Sequence, residues 1–177
     1  VSPNWVSLAY KNTRIPIASV VGFPSGSHLS ATKAAEATQA VSDGASEIDM
    51  VANLGWISSG DWSNLENEVA AVRRAISANV VLKVILETGL WSSEQIIAAC
   101  KHSVLGGADY VKTSTGFHKA GGASLEAVRT MRNTVGADIG VKASGGIRTT
   151  ADALAMIEAG ASRIGASASR VILSGLK

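Results

Sequence analysis

Residues 110–116 have the sequence YVKTSTG, and residues 140–146 have the sequence GVKASGG. Each stretch begins as a short apolar run, reaches a lysine (Lys112 or Lys142), and continues into small residues and glycine. Short, uniformly apolar runs are typical of strands that are buried on both faces in a parallel sheet. A lysine at the end of such a strand is unfavourable unless it has a partner or a chemical task. The two stretches therefore predict a parallel sheet with a functional edge.

Strands of the same kind recur along the chain, and a helical pattern separates each strand from the next. The predicted strands are residues 17–21, 47–51, 80–86, 110–112, 139–142 and 163–165. This alternation favours parallel strands joined by right-handed crossovers, in either an open doubly wound sheet or a closed barrel. A closed barrel needs eight strands, whereas we count six. Because the chain begins with Val1 and not Met, we expect that its first one to two βα units are absent from the sequence. No linker divides residues 1–177, so we expect one domain.

Three serines are candidate N-caps of the intervening helices: Ser30, Ser63 and Ser92. The last two are followed three residues later by Glu66 and Gln95, which completes a capping-box pattern. We therefore expect helices to begin at these three serines.

Composition argues against several classes of protein. The formal net charge is +2 and the basic residues do not cluster, which argues against nucleic-acid binding. No apolar run is long enough to span a membrane, and no signal-peptide pattern opens the sequence. The single cysteine, Cys100, cannot form an internal disulfide and fits a small buried apolar residue. We expect a cytoplasmic protein without a metal site.

The two lysines suggest a specific chemistry. If Lys112 and Lys142 both point inward, two ammonium groups share one apolar cavity. A second cation and desolvation each lower the pKa of a lysine from its usual value of about 10.4. A neutral amine can then attack a carbonyl and form a Schiff base. The pair therefore predicts one nucleophilic lysine beside one cationic acid.

Asp49 is the third candidate, because it lies inside the apolar strand of residues 47–51. A carboxylate there could move protons through a water molecule or hold a lysine by charge. Alternatively, Asp49 forms a buried ion pair with Lys83 or Lys142 and does nothing further. The residues alone leave both interpretations open.

Glycine-containing turns follow the last two predicted strands. Gly145 and Gly146 follow one of them, and Gly165 and Ser167 follow the other. Backbone N–H groups in such turns bind phosphate, and barrels often place a phosphate site after their last two strands. The turns therefore predict a phosphate site.

The sequence resembles the deoxyribose-phosphate aldolase family over nearly its whole length. The matching stretches are residues 20–24, 47–51, 83–88, 111–117, 142–148 and 164–167. The resemblance implies a class I aldolase on a (β/α)₈ TIM barrel that cleaves 2-deoxy-D-ribose 5-phosphate reversibly to D-glyceraldehyde 3-phosphate and acetaldehyde. It implies that Lys112 forms the Schiff base, that Lys142 tunes this lysine and assists proton transfer, and that Asp49 belongs to the proton relay.

The resemblance also implies a phosphate site and a partner. The family's phosphate-binding positions match Gly145, Gly146, Gly165 and Ser167, with Gly116 near them. No metal or organic cofactor is implied, the expected partner is a small sugar phosphate, and we also consider a homo-oligomer.

Departures from the family pattern leave two alternatives open. Ala168 stands where some members have a second phosphate-contacting serine, Phe117 stands where some have a lysine, and the family's first strands are missing. One alternative is a different phosphate-binding TIM-barrel aldolase or isomerase, because a fold alone does not fix an activity. The other is an inactive or binding-only barrel fragment, whose exposed sheet edges would invite another chain.

Overall fold

The computed structural model describes residues 1–176, which form one parallel sheet of six strands with helices between them. The strands are β1 (Ala18–Val21), β2 (Glu47–Val51), β3 (Val81–Ile85), β4 (Tyr110–Lys112), β5 (Gly140–Ser144) and β6 (Arg163–Gly165). They lie in the order β1-β2-β3-β4-β5-β6, and every neighbouring pair is parallel. The six predicted strands are confirmed, with ends that move by one or two residues. A doubly wound sheet would reverse its strand order at a switch point, so this order excludes that architecture.

Helices surround the sheet on its outer side. They are α1 (Val6–Asn12), α2 (Ser30–Ser42), α3 (Leu54–Ser59), α4 (Trp62–Ala75), α5 (Ser93–Leu105), α6 (Leu125–Val135), α7 (Thr150–Glu158) and α8 (Ser169–Ser174), with 3₁₀ turns at Pro3–Trp5 and Thr88–Leu90. From α4 onward each helix packs against the next one, and α2 packs against α4. The short helix α3, between β2 and α4, was not predicted. Among the described helices, none is long and apolar enough to cross a membrane.

Two of the three predicted N-caps are wrong. Ser30 is the first residue of α2, and the flanking residue Leu29 makes no side-chain cap. Helix α4 begins before Ser63, because the Asp61 carboxylate accepts the N–H of Asn64 and caps the helix. The third prediction is confirmed, since Ser92 and Gln95 form a complete capping box on α5.

The sheet is curled into part of a barrel. In a flat sheet β2 and β6 would lie four strand spacings apart, about 19 Å, which is beyond the combined reach of two side chains. Arg163 on β6 nevertheless donates to both carboxylate oxygens of Glu47 on β2, at 2.8 and 2.6 Å. The fold is therefore part of an α/β barrel of the TIM type. Within residues 1–176 it has six strands, and β1 and β6 are its two edges.

The free edge of β1 carries one further residue in strand geometry. The amino group of Val1 donates to the carbonyl of Ala18 at 2.7 Å, and the N–H of Val20 donates to the carbonyl of Val1 at 3.1 Å. These two bonds flank Ser19 as in a parallel ladder. Val1 therefore lies beside β1 in the geometry of a parallel bridge.

The curled sheet separates an apolar shell from a polar interior. On β2, Ile48 and Met50 are fully buried in the apolar cluster that lies between the strands and the helices. The alternate residues Glu47 and Asp49 contact charged side chains from β3 to β6 instead. The period of two along this strand therefore places its carboxylates inside the curl.

A buried ion pair joins two helices to the carboxyl end of β2. Lys33 on α2 donates to Glu68 on α4 at 2.7 Å and to the carbonyl of Val51 at 2.8 Å, and both side chains are fully buried. The other oxygen of Glu68 accepts the N–H of Asn53 at 3.0 Å. Burial lowers the pKa of Lys33 and raises the pKa of Glu68, although the attraction between the two opposes both shifts. The pair anchors the segment that follows Asp49.

Candidate active site

The two lysines found in the sequence meet at one oxygen atom. Lys112 and Lys142 are register partners on β4 and β5. The Lys112 ammonium donates to Oδ2 of Asp49 at 2.7 Å, and the Lys142 ammonium donates to the same oxygen at 2.6 Å. Two amines within a hydrogen bond of one atom are necessarily close to each other. The arrangement anticipated for a lysine pair is therefore present, with a carboxylate between its members.

A third lysine binds the other oxygen of Asp49. Lys83 on β3 is fully buried and donates to Oδ1 of Asp49 at 2.9 Å. It also donates to Glu47, whose carboxylate is held from the far side by Arg163. Asp49 thus forms ion pairs with both Lys83 and Lys142, the two partners considered in the alternative interpretation. It also forms an ion pair with Lys112. Sequence reasoning missed the roles of Glu47 and Arg163, although the two-residue spacing of Glu47 and Asp49 indicated a shared face.

This cluster lowers the pKa of both Lys112 and Asp49, which favours the neutral amine of one and the charged carboxylate of the other. Burial is the largest influence on Lys112 and lowers its pKa; the neighbouring cations Lys142 and Lys83 lower it further, against the attraction of Asp49. Burial alone would raise the pKa of Asp49, but the three ammonium groups overcome that effect and hold it well below its usual range. At neutral pH the carboxylate is therefore charged, and Lys112 gives up its proton more readily than a free lysine.

A cavity of about 420 Å³ opens above the lysines. Lys112 and Lys142 line it together with all five residues considered for phosphate binding: Gly116, Gly145, Gly146, Gly165 and Ser167. Thr115, Phe117 and Arg148 also line it and were not assigned to the site from the sequence. The guanidinium of Arg148 was the clearest missed signal, because it follows the Gly145–Gly146 turn by two residues.

Glycine is required at two places in this cavity. Gly145 and Gly146 have φ of +87° and +81°, a conformation that side chains strongly disfavour. At Gly165 a Cβ atom would lie 3.1 Å from Cε of Lys142 and 2.9 Å from Cβ of Ser144. The first two glycines therefore allow a tight turn with exposed N–H groups, and the third leaves room for the lysine.

A larger hollow of about 750 Å³ lies away from this chemistry. Residues 10–17 and Gly44 line it, at the amino ends of β1 and β2. Ligands of parallel barrels bind at the carboxyl ends of the strands, where the lysines and the glycine turns lie. The smaller cavity is therefore the candidate active site.

Comparison with known proteins agrees with the fold and identifies a family. Residues 3–175 match the model of the DeoC/LacD family aldolases. The deoxyribose-phosphate aldolase of Kocuria rhizophila is 57% identical over 162 residues, which cover 92% of this chain and 74% of that protein. The one from Corynebacterium diphtheriae is 58% identical over 160 residues, which cover 90% of this chain and 73% of that protein.

Solved structures give the same result. The tetrameric deoxyribose phosphate aldolase from Aeropyrum pernix superposes with a TM-score of 0.89 at 34% identity, over 99% of this chain and 75% of that one. The protein is thus an aldolase on a TIM-type barrel. More specifically, the chain belongs to the DeoC/LacD family, and the relatives it resembles there are deoxyribose-phosphate aldolases.

Proposed function

We propose that this protein cleaves 2-deoxy-D-ribose 5-phosphate reversibly to D-glyceraldehyde 3-phosphate and acetaldehyde through a Schiff base on Lys112. The observation that supports this most is the shared carboxylate oxygen: Lys112 and Lys142 both donate to Oδ2 of Asp49 at the floor of the cavity. A buried amine beside a second cation is the arrangement that a Schiff-base nucleophile requires.

Lys112 is the nucleophile of the pair in this proposal. Its side chain is 9% exposed and that of Lys142 is 13% exposed, and burial lowers the pKa of Lys112. The neutral amine adds to the aldehyde carbon of the open-chain sugar, and loss of water gives an iminium that accepts electrons. Lys142 lies beside it and donates the proton that lets the hydroxyl group leave as water.

Carbon–carbon cleavage then needs a base and an acid in turn. A base removes the proton of the 3-hydroxyl group, the bond between C2 and C3 breaks, and its electron pair moves to the iminium to give an enamine. Glyceraldehyde 3-phosphate leaves as the aldehyde. The enamine takes a proton at its terminal carbon, and water hydrolyses the resulting iminium to acetaldehyde and free Lys112. Asp49 and Lys142, with a water molecule, move these protons.

The phosphate group occupies the glycine-rich end of the cavity in this proposal. Backbone N–H groups of Gly116, Gly145, Gly146 and Gly165 and the hydroxyl of Ser167 offer hydrogen bonds to it. Arg148 adds a positive charge at the same end. We also propose that the reaction takes place in the cytoplasm, because the substrate is a sugar phosphate. In this proposal residues 1–177 act as one barrel domain. Assembly into a homo-oligomer stays a prediction.

Reductive trapping tests the proposal. Borohydride is added to the protein with acetaldehyde or with deoxyribose 5-phosphate, and the modified peptide is located by mass spectrometry. We expect one adduct on Lys112 with each aldehyde, and formation of glyceraldehyde 3-phosphate in the absence of borohydride. Adducts on Lys142 alone, or none at all, would contradict the assignment.

A further inference from the structure

Glu87 has a left-handed backbone conformation. Its φ is +57° and its ψ is +55°, and within residues 1–176 it is the only non-glycine residue with positive φ. Left-handed backbone is strained for a residue with a Cβ, and such strain clusters at functional sites. This conformation therefore indicates a functional role for Glu87.

The surroundings fix the backbone on both sides of Glu87. The N–H of Leu86 donates to the carbonyl of Lys112, and the N–H of Thr88 donates to the carbonyl of Thr113, each at 2.9 Å. The indole N–H of Trp91 donates to the carbonyl of Leu86 at 2.7 Å. The chain after β3 is thus tied to the end of β4, and the Glu87 side chain reaches the segment that follows β4.

The Glu87 carboxylate is buried and, within residues 1–176, has Thr115 as its one hydrogen-bond partner. It is 1% exposed, and it accepts the hydroxyl and the N–H of Thr115, the latter at 3.3 Å to each oxygen. The same hydroxyl oxygen of Thr115 accepts the N–H of Phe117 at 3.1 Å. The Phe117 ring in turn packs edge-on against Phe23, with centroids 5.3 Å apart. The carboxylate therefore begins a chain of contacts that passes through Thr115 and Phe117, which line the cavity, and ends at Phe23.

We infer that Glu87 is a positioning residue, which holds the turn of residues 115–117 where it lines the cavity. This inference rests on the proposed function, because Gly116 in this turn belongs to the proposed phosphate site. A charged acceptor binds N–H and O–H donors about twice as strongly as a neutral one, so a buried carboxylate fixes the turn more firmly than an amide could. Glu87 itself contacts Thr115 and does not line the cavity.

Two variants of Glu87 separate positioning from general stability. Glu87→Gln removes the charge and keeps the shape, whereas Glu87→Gly removes the carboxylate and relieves the backbone. We expect both to raise KM for deoxyribose 5-phosphate and Kd for inorganic phosphate by about tenfold, because a displaced turn weakens its contacts with phosphate by about the free energy of one hydrogen bond to a charged group. The rate of borohydride trapping with acetaldehyde should stay within about twofold of wild type, because a two-carbon adduct on Lys112 does not depend on the phosphate end.

Control variants make the test decisive. Glu158→Gln makes the same change at the exposed end of α7 and should leave all three values unchanged. Thr115→Ser keeps the hydroxyl and should retain phosphate affinity, whereas Thr115→Val should match Glu87→Gln.

Two results would overturn the inference: phosphate affinity and KM unchanged in both Glu87 variants, or a parallel loss of acetaldehyde trapping and phosphate affinity. The phosphate titration does not need turnover. If the wild-type protein forms no adduct, the proposed function fails while the role of Glu87 is still decided.

Discussion

Lys83 donates to Oδ1 of Asp49 at 2.9 Å, and Lys112 and Lys142 both donate to the other oxygen, Oδ2. Lys83 is fully buried and does not line the cavity. A lysine outside the cavity therefore helps to hold the carboxylate at which the two cavity lysines meet.

Replacement of the nucleophile should abolish turnover. Lys112→Arg keeps a positive charge, but a guanidinium does not lose its proton in the accessible pH range and forms no Schiff base. We expect turnover of deoxyribose 5-phosphate to fall by at least about 1,000-fold. Lys101→Arg, the same change on the exposed face of α5, is the matched control and should be silent. Near-normal turnover in the Lys112 variant would rule out this lysine as nucleophile.

Lys142 should set the pH at which the adduct forms. Its charge disfavours the protonated form of Lys112, so Lys142→Leu should raise the pKa of Lys112 and shift adduct formation to higher pH. Lys142→Arg keeps the charge and should shift the profile much less. The check is the rate of borohydride trapping with acetaldehyde between pH 6 and 10, and identical profiles for wild type and Lys142→Leu would contradict the tuning role.

Asp49 should stabilise the fold above acidic pH. Burial opposes its ionisation, but the three lysines lower its pKa below the unfolded value, so the folded state holds this proton less tightly. Its contribution is present above the unfolded pKa of about 4 and is lost as pH falls toward the folded pKa. Asp49→Asn should therefore be less stable than wild type at pH 7, with a difference that narrows on acidification. Urea unfolding at pH 7 and pH 3 measures this, and a constant difference would count against it.

The Lys33–Glu68 pair should behave as a coupled unit. Lys33→Met leaves a carboxylate buried without its cation, and we expect a loss of about 3–5 kcal/mol in the free energy of unfolding. Replacing both residues, as Lys33→Met with Glu68→Leu, removes both charges and should recover much of that loss. A double-mutant cycle in urea gives the coupling energy. Additive losses would show that the two side chains act independently.

Local sequence signals were enough for the strands and for the two lysines and the aspartate that the structure brings together. Buried parallel strands are short apolar runs between polar segments, and lysines or aspartates inside them are conspicuous. The same reasoning placed Gly145 and Gly146 at the site, because a glycine pair after a strand indicates a turn. The Ser92 cap was correct because a capping box depends on only four consecutive residues.

The features that were missed depend on the path of the chain in space. Arg163 and Glu47 are 116 residues apart and meet only because the sheet curls. Glu87 lies in a stretch that looks like an ordinary strand end, and its left-handed backbone is imposed by hydrogen bonds to β4. Asp61 caps α4 in place of Ser63, because the chain leaves α3 through Gly60 in a left-handed turn. The local sequence pattern did not show this turn.

Ionic strength should affect the two ends of the site differently. Charges alternate in a row of side chains: Arg163, Glu47, Lys83 and Asp49. Dissolved ions screen exposed charges over about 10 Å at 0.1 M, but they reach buried pairs poorly. Adding potassium chloride should therefore lower the affinity for phosphate in the open cavity and leave Schiff-base formation on Lys112 almost unchanged. Salt thus separates the two halves of the site without any mutation.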